Sequence, residues 1–468
     1  MSSKSIHRIQ DSVHGLMEFR GMETLVIELL RTPELQRLRK IRQLGLAHLV
    51  FPGAEHSRLV HSLGVSHLAI RWGRRLKEVA NDHFISALCP DESTIRDLAI
   101  AALCHDLGHG PLSHAFEREI IGKSFDRDLW FKSLGISSTH ESLKKMAWHE
   151  LVGYALLGWK DGQLHRLLEQ QENGSSERIQ GLLLGDYYLP YITKILSGDI
   201  DVDRADYIIR DTHQTGVAYG RYDLDWLIST SNIGIQKDAD KETWMIGFDS
   251  RKSIRVIEQF LIARRAMYET VYHHKTVRSA EGMMRQFLSR LKYVVKDDTN
   301  IEVADFVKPI LKIIRGSAIE PAEILKLDDF AIWVLIDSIS QSSIKDETVR
   351  DLADRIRARD LFKKVPVSTE QINRFNRNEG AKEKLYEVIK PYCRGDSKYY
   401  IIEDVVEFKM LHKEPSKKVC LINPHGEVEY CDSHPTFDIY RNKDVEDLRI
   451  YTIREAVDAV AKFILQNQ

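Results

Sequence analysis

Apolar residues recur at helical spacing through most of this chain. Residues 1–20 read as a short extended segment with a turn near Gly15. Between 24 and 45, Leu25, Ile27, Leu29, Leu30, Leu35, Leu38 and Ile41 mark a helical run. Thr32-Pro33 splits that run, as N-cap and first residue of a second helix. Further helices are expected over 58–83, 94–107, 148–158, 163–171 and 177–196, another from about Asp201, and a long one over 251–291. The charged, Ser-rich stretch 118–147 reads as an irregular excursion, and QQENGSSE at 170–177 as a solvated loop. Strand-like runs stand at 231–250, around the polar turn KDADKE, and at 398–431, where Pro-His-Gly makes a hairpin-type turn. An amphipathic helix over 453–466 closes the chain. The fold class is therefore mainly α, with a helical core over 1–295 and a smaller C-terminal helical and α/β lobe over 296–468.

Composition narrows the picture. A chain of 468 residues can bury a large core. Its net charge of −2 gives neither nucleic-acid nor membrane binding any bulk electrostatic support. The N-terminus has no apolar core of a secretory signal, and no apolar run is long enough to span a bilayer. Cys89, Cys104, Cys393, Cys420 and Cys431 form no CxxC pair, which fits a reducing cytoplasm and no structural zinc cluster.

The chemistry concentrates at His105-Asp106, which ends the apolar run LAIAALCHDLG. A buried helix rarely ends in an adjacent imidazole and carboxylate unless something binds both. Taken alone, the pair reads first as a satisfied polar helix end. His61, in SRLVHSLGV, and Asp203, in GDIDVDRADY, extend it to a mixed nitrogen and oxygen ligand set. Such a set suits Fe, Mn, Zn, Co or Ni rather than magnesium alone. On a helix through Asp203, Tyr207 shares its face and Arg210 lies beside it, with Arg204 and Asp211 flanking. That face suits a metal-bound phosphate ester, although an amphipathic helix with surface ion pairs has the same pattern. His114 and Glu117 stand at i and i+3, so the carboxylate can orient the imidazole as a general acid. A helix-start salt bridge is the plain alternative. His109 and His149 add positive charge. In ARRAMYETVYHHKTVR, Arg264, Arg265, Tyr268, Tyr272, His273, His274 and Lys275 crowd one expected helix, either as a solvated basic face or as a nucleotide site.

Four blocks carry a resemblance: RTPELQRLRKIRQLGLAHLVFPGAEHSRLVHSLGV, AALCHDLGHGPLSHAFE, GDIDVDRADYIIRDTHQTGV and RRAMYETVYHHKT. Across about residues 7–285 the chain resembles the HD-domain deoxynucleoside triphosphate triphosphohydrolases, without the SAM domain of the vertebrate member. The last third matches more loosely. The resemblance implies hydrolysis of a dNTP to a deoxynucleoside and inorganic triphosphate. One divalent transition metal would sit on His61, His105, Asp106 and Asp203, with Mg²⁺ accompanying the nucleotide. Arg58, Arg204, Arg264 and Lys275 would contact phosphates, Arg204 standing where the vertebrate member has Lys. His109, His114 and His149 would surround the scissile phosphate, with Glu117 behind His114. Gln43 would sense the 3′-hydroxyl, and Tyr207 and Tyr272 would pack at the sugar, beside Asp211. His273 and Tyr268 replace a Gln and a His of the vertebrate member on the base side. Family members form homo-oligomers, a dimer of dimers or larger, and the vertebrate one takes a guanine nucleotide activator at a second site. Two assisting positions of that site survive here as Gln36 and Arg39, while the Asp that reads guanine is Arg31. Competing readings are an HD nucleotide monophosphatase, an alarmone hydrolase, whose HD block continues into an acidic pair rather than LGHGP, and a non-catalytic nucleotide sensor or nucleic-acid scaffold.

Overall fold

The computed structural model describes residues 6–82, 89–112, 114–122, 126–137, 140–238, 241–297, 303–341, 344–408, 418–440 and 445–467. The chain opens with an antiparallel hairpin of β1 (Ile6–Asp11) and β2 (Gly15–Arg20), turning at Gly15. Helices Leu25–Leu29 and Pro33–Arg37 follow, divided at Thr32-Pro33 as the sequence predicts. The run stops at Lys40 rather than near Gly45, because Ile41 turns extended and Arg42 pairs with Ser57. That turn carries Gln43 inward, where its backbone N–H donates to the His56 carbonyl at 3.0 Å.

Two helices in contact, Arg58–Asp82 and Glu92–Cys104, form the centre of the core. The second starts where Asp91 accepts a hydrogen bond from the Thr94 amide at 2.7 Å, an N-cap that satisfies one orphan donor. Beyond Ser93 it is buried on every side, as an all-round apolar helix must be. It ends at Cys104, short of the expected 107, and residues 105–108 form a turn. The turn is pressed against helix Trp148–Gly158: a Cβ at Gly108 would lie 1.9 Å from the His149 carbonyl oxygen, so only glycine fits. Helix Val202–Thr215 is capped by Asp201, which accepts from the Arg204 amide at 2.8 Å, and stops at the left-handed Gly216.

Three expectations change. The stretch 118–147 contains a π-helical turn at Glu117–Ile121, helix Arg127–Ser133 and a 3₁₀ turn at Glu141–Lys144, so it is more ordered than an irregular excursion. The helix expected over 177–196 is Ser175–Leu184, ended by left-handed Gly185, and then a 3₁₀ segment Pro190–Ile195. The long helix over 251–291 is broken: Ile254–Met267 passes through a π-helical turn, Tyr268–Tyr272, before Lys275–Asp297 begins.

The expected hairpin near 231–250 is β3 (Ser231–Asp238) and β4 (Lys241–Asp249). Its partners come from far along the chain, where β5 (Lys363–Lys364), β6 (Ile401–Phe408), β7 (Cys420–Ile422), β8 (Val428–Tyr430) and β9 (Val445–Thr452) follow in order. β7 lies parallel to β4, so one sheet, β3-β4-β7-β8, joins strands from both sides of residue 295; a second runs β5-β9-β6. β9, VEDLRIYT, escapes the sequence reading because its polar first half masks the alternation. One buried apolar cluster extends from Met17 to Ile464. Among the described residues no helix is long and apolar enough to cross a membrane.

Candidate active site

Three elements converge on one buried point. His61 comes from the first turn of Arg58–Asp82, His105 and Asp106 from the turn after Cys104, and Asp203 from the first turn of Val202–Thr215. His61 Nε2 lies 3.0 Å from Asp203 Oδ1 and 3.8 Å from Asp106 Oδ2. His105 Nε2 lies 3.6 Å from Asp203 Oδ1 and 3.4 Å from Asp106 Oδ1. The far side of each imidazole is fixed: His105 Nδ1–H donates to the Ala102 carbonyl at 2.7 Å, and His61 Nδ1–H to Asp206 Oδ2 at 2.8 Å. Both rings therefore turn Nε2 towards the cluster.

The electrostatics favour a cation there. Burial opposes charge on His61, yet Asp203, Asp206 and Asp106 outweigh it and lift its pKa to about 10. Burial likewise opposes charge on Asp203 and Asp106. His105 and His61 nonetheless hold the first far below the carboxylate range, and Arg58, His105 and His109 the second. His61, His105 and Asp203 offer ligand atoms all within 4.8 Å of one another, and the buried His105 Nε2 has no hydrogen-bond partner. Two imidazole nitrogens and carboxylate oxygens facing one point fit a divalent transition metal.

Behind His61 is a network that the sequence reading missed. Asp206 also accepts from His14 Nε2 at 2.6 Å and from Arg210 Nε at 2.7 Å, while Arg210 reaches Asp11 at 2.9 Å. Arg210 is fully buried, so it does not address the cleft with Asp203 and Tyr207, as the helical face suggested. It is held on the opposite side by two carboxylates. A Cβ at Gly64 would fall 2.0 Å from Asp206 Oδ1, so that helix can approach the network only through a glycine.

A second cluster adjoins the first. Glu117 Oε2 accepts from His149 Nδ1–H at 2.8 Å, and Glu117 Oε1 is 3.3 Å from His109 Nδ1. His109 Nε2 is 3.3 Å from Asp106 Oδ1, and the His109 and His149 rings stack at 4.0 Å. Burial, then Arg58 and His149, depress the pKa of His109. Burial also opposes charge on His149, but Glu117 raises it above the ordinary imidazole value. Glu117 remains ionised against burial because the two imidazoles hold it far below its usual range. The imidazole of His114 lies outside the described residues, and the described partners of Glu117 are His149 and His109.

A cavity of about 600 Å³ opens over both clusters. Arg58, His105, Asp106, His109, His149 and Asp203 line one part of it, and Gln43, Tyr207, Asp211 and Tyr272 another. Asp211 accepts from His56 Nε2 at 2.8 Å and from the Tyr272 hydroxyl at 2.7 Å, and Tyr207 meets Tyr272 edge to face. Gln43 Oε1 is buried without a hydrogen-bond partner. Other expected residues do not line the cavity. Arg204 pairs with Asp201 and donates to the Gly198 carbonyl at 2.6 Å. Arg264 is buried beside Asp199 and the ring of Tyr268, and its Nε and one terminal nitrogen have no hydrogen-bond partner. Lys275 is exposed at the start of its helix, because the π-helical turn separates it from Tyr268 and Tyr272. Arg118, Glu281 and Arg285 line the cavity too, and nothing in their local sequence distinguishes them from surface charges. Arg31 is exposed, and Arg39 Nε donates to Gln36 Oε1 at 3.2 Å on the surface.

The comparisons agree with this geometry. Residues 58–211 match the HD domain, and residues 250–308 the HD associated region. A protein of Bacillus subtilis described as uncharacterized, YwfO, is 29% identical over 84% of this chain and 78% of its own length. The human deoxynucleoside triphosphate triphosphohydrolase SAMHD1 is 28% identical over 76% of this chain; the match spans 54% of the human protein, little more than half. The crystal structure of a phosphohydrolase from Bacteroides thetaiotaomicron superposes with a TM-score of 0.72 at 23% identity, covering 96% of this chain and all of the other, which shows a shared fold. The chain thus carries an HD domain and an HD associated region on a mainly α fold. It is similar to SAMHD1 deoxynucleoside triphosphate triphosphohydrolases at 28–29% identity.

Proposed function

We propose that the protein hydrolyses deoxynucleoside triphosphates to a deoxynucleoside and intact triphosphate. The observation that carries this reading is the pairing, in one cavity, of a cation-seeking His61/His105/Asp203 cluster with the carboxylate-bound His149 imidazole. His61, His105, Asp106 and Asp203 hold one divalent transition metal per chain, and Mg²⁺ travels with the nucleotide. Such a metal, when bound, acidifies a water and polarises the phosphorus centre. Arg58 reaches the phosphates directly; Arg204, Arg264 and Lys275 do so once the nucleotide is seated. The nitrogens of buried Arg264 that make no hydrogen bond support that role, since buried donors are normally satisfied. Gln43, with its unpartnered oxygen, takes the 3′-hydroxyl as donor, and Tyr207, Tyr272 and Asp211 wall the sugar. His114 protonates the leaving 5′-oxygen, while His149, oriented by Glu117, and His109 face the scissile phosphate. The assembly is a homo-oligomer, and the chain divides into a catalytic core over 1–295 and a C-terminal lobe over 296–468.

The bond cleaved is tested by phosphorus NMR of the products from each dNTP with Mn²⁺, Co²⁺, Fe²⁺ or Mg²⁺. Inorganic triphosphate is the expected first product. Early orthophosphate together with a dNDP would sink the assignment.

Regulation is tested at Arg31. A guanine edge presents N–H donors, and an arginine only donates, so it cannot read that edge as a carboxylate does. Equal rates of dATP hydrolysis with and without GTP are expected at low dNTP concentration. Strict dependence on GTP that survives changing Arg31 would overturn this.

A further inference from the structure

The loop that follows the His-Asp pair, residues 107–112, is gripped from two sides by buried charges with no part in the ligand set. Arg37, 3% exposed, donates to three carbonyls: Leu107 at 2.5 Å, His109 at 2.8 Å and Leu327 at 2.9 Å. Asp329, 1% exposed, accepts two backbone N–H groups, Leu112 at 2.8 Å on one oxygen and Arg42 at 2.9 Å on the other. Leu112 is held at φ +53°, a left-handed conformation that residues other than glycine and asparagine seldom adopt and that persists only where the surroundings enforce it. The loop so fixed carries His109, and Arg42 precedes Gln43, whose oxygen is unpartnered over the cavity.

We propose that Asp329, supported by Arg37, is a positioning residue that the C-terminal part of the chain contributes to the active site: it fixes the 107–112 loop and the Arg42-Gln43 turn to each other, and so sets His109 against Asp106 and His149. Two ordinary structural roles are already filled or do not fit. Helix Asp329–Gln341 is capped by the neighbour, Asp328, which accepts from the Ala331 amide at 3.0 Å. Stability alone does not account for the carboxylate either. Burial pushes its pKa up to about 6, although the Arg42 and Leu112 amides and the Arg42 guanidinium pull it down. A carboxyl whose folded pKa is raised binds its proton more tightly in the folded chain, so the folded state loses stability as pH rises from the unfolded value to about 6. At neutral pH the ionised form works against folding, yet it is the form that accepts both amides.

The test is Asp329→Asn, whose amide offers one acceptor oxygen and turns a donor at the other N–H. Hydrogen exchange of peptides covering 107–112 is expected to accelerate about tenfold or more, as a backbone bond that holds a strained segment is lost. The kcat for dATP is expected to fall about 10–100-fold, because small misplacements of catalytic groups carry that penalty. KM is expected to change by a smaller factor than kcat, since Gln43 alone among the proposed substrate contacts lies on the released turn. Metal content should not change. Asp329→Glu keeps the charge but displaces it by a methylene, and the same kcat loss is expected. A wild-type kcat in the Asn variant overturns the proposal, as does a lowered kcat with unchanged loop exchange and a lower melting temperature. If the Asn variant does not fold, the Glu variant is judged by the same criteria; if neither folds, Asp329 is structural and the proposal fails. Only the kcat arm rests on the dNTPase reading. A wild-type protein inactive on every dNTP would sink that reading, and loop exchange would still decide the clamp.

Discussion

Replacing Asp106 with alanine is expected to strip the protein of metal and of hydrolysis together. The carboxylate sits between His105 Nε2 at 3.4 Å and His61 Nε2 at 3.8 Å, so its loss removes the anionic share of the cluster beside the HD turn. It also accepts from Arg58 at 2.5 Å, with both side chains almost wholly buried. Breaking a buried pair by deleting one partner typically costs about 3–5 kcal/mol, because the other charge is left without compensation. Asp106→Asn is the control that keeps shape and a neutral partner for Arg58, and it should melt nearer to wild type than the alanine variant. Metal per chain, measured by mass spectrometry after dialysis, should be about one in the wild type for a single four-ligand site and near zero in Asp106→Ala. Full activity in a metal-free, folded Asp106→Ala protein would remove the metal from the mechanism.

Local signals made the frame of this site legible. Asp91 and Asp201 cap the two helices that deliver His105-Asp106 and Asp203, and Gly216 ends the second, so both helices can be read from residues a few positions apart. The His105-Asp106 adjacency was visible for the same reason. What escaped is set by contacts distant in the chain. His61 owes its orientation to Asp206, whose other partners, His14 and Arg210 with Asp11, lie on the N-terminal hairpin and deeper in the core. Positions 206 and 210 share a face with each other, but periodicity does not say whether that face meets the cleft or the hairpin. Glu117 and His114 satisfy the i, i+3 rule, whereas the Glu117–His149 bond spans 32 residues and depends on Gly108 letting two segments touch. The break at Tyr268–Tyr272 is equally invisible, since no Gly or Pro interrupts the apolar spacing there, yet Tyr268, Val271 and Tyr272 of the widened turn line the cavity.

His149→Ala is expected to lower kcat by about 10²–10³, the usual effect of removing one preorganised charge or donor aimed at a developing oxyanion. His149 is well placed for that part: it lines the cavity, stacks on His109 at 4.0 Å and is 18% exposed at its side chain. Its Nδ1–H is taken by Glu117 at 2.8 Å, which fixes the ring with Nε2 on the edge away from that carboxylate. The sign of the pH dependence follows from its raised pKa. Burial depresses it, but Glu117 and more distant carboxylates raise it above 6.5, so the cation is lost as pH climbs through that higher value. The rate should therefore show an alkaline limb with its midpoint above 6.5. Glu117→Gln removes the group chiefly responsible, and the limb should slide towards lower pH while metal content stays at the wild-type level. The two variants separate charge from packing. A purely structural His149 would give an alanine variant with lowered melting temperature and a pH profile of unchanged shape. A charge role gives an alanine variant that has lost the alkaline limb altogether, at a rate that added imidazole raises in proportion to its protonated fraction. A limb that stays in place in both variants would assign it to another group and leave His149 without this role.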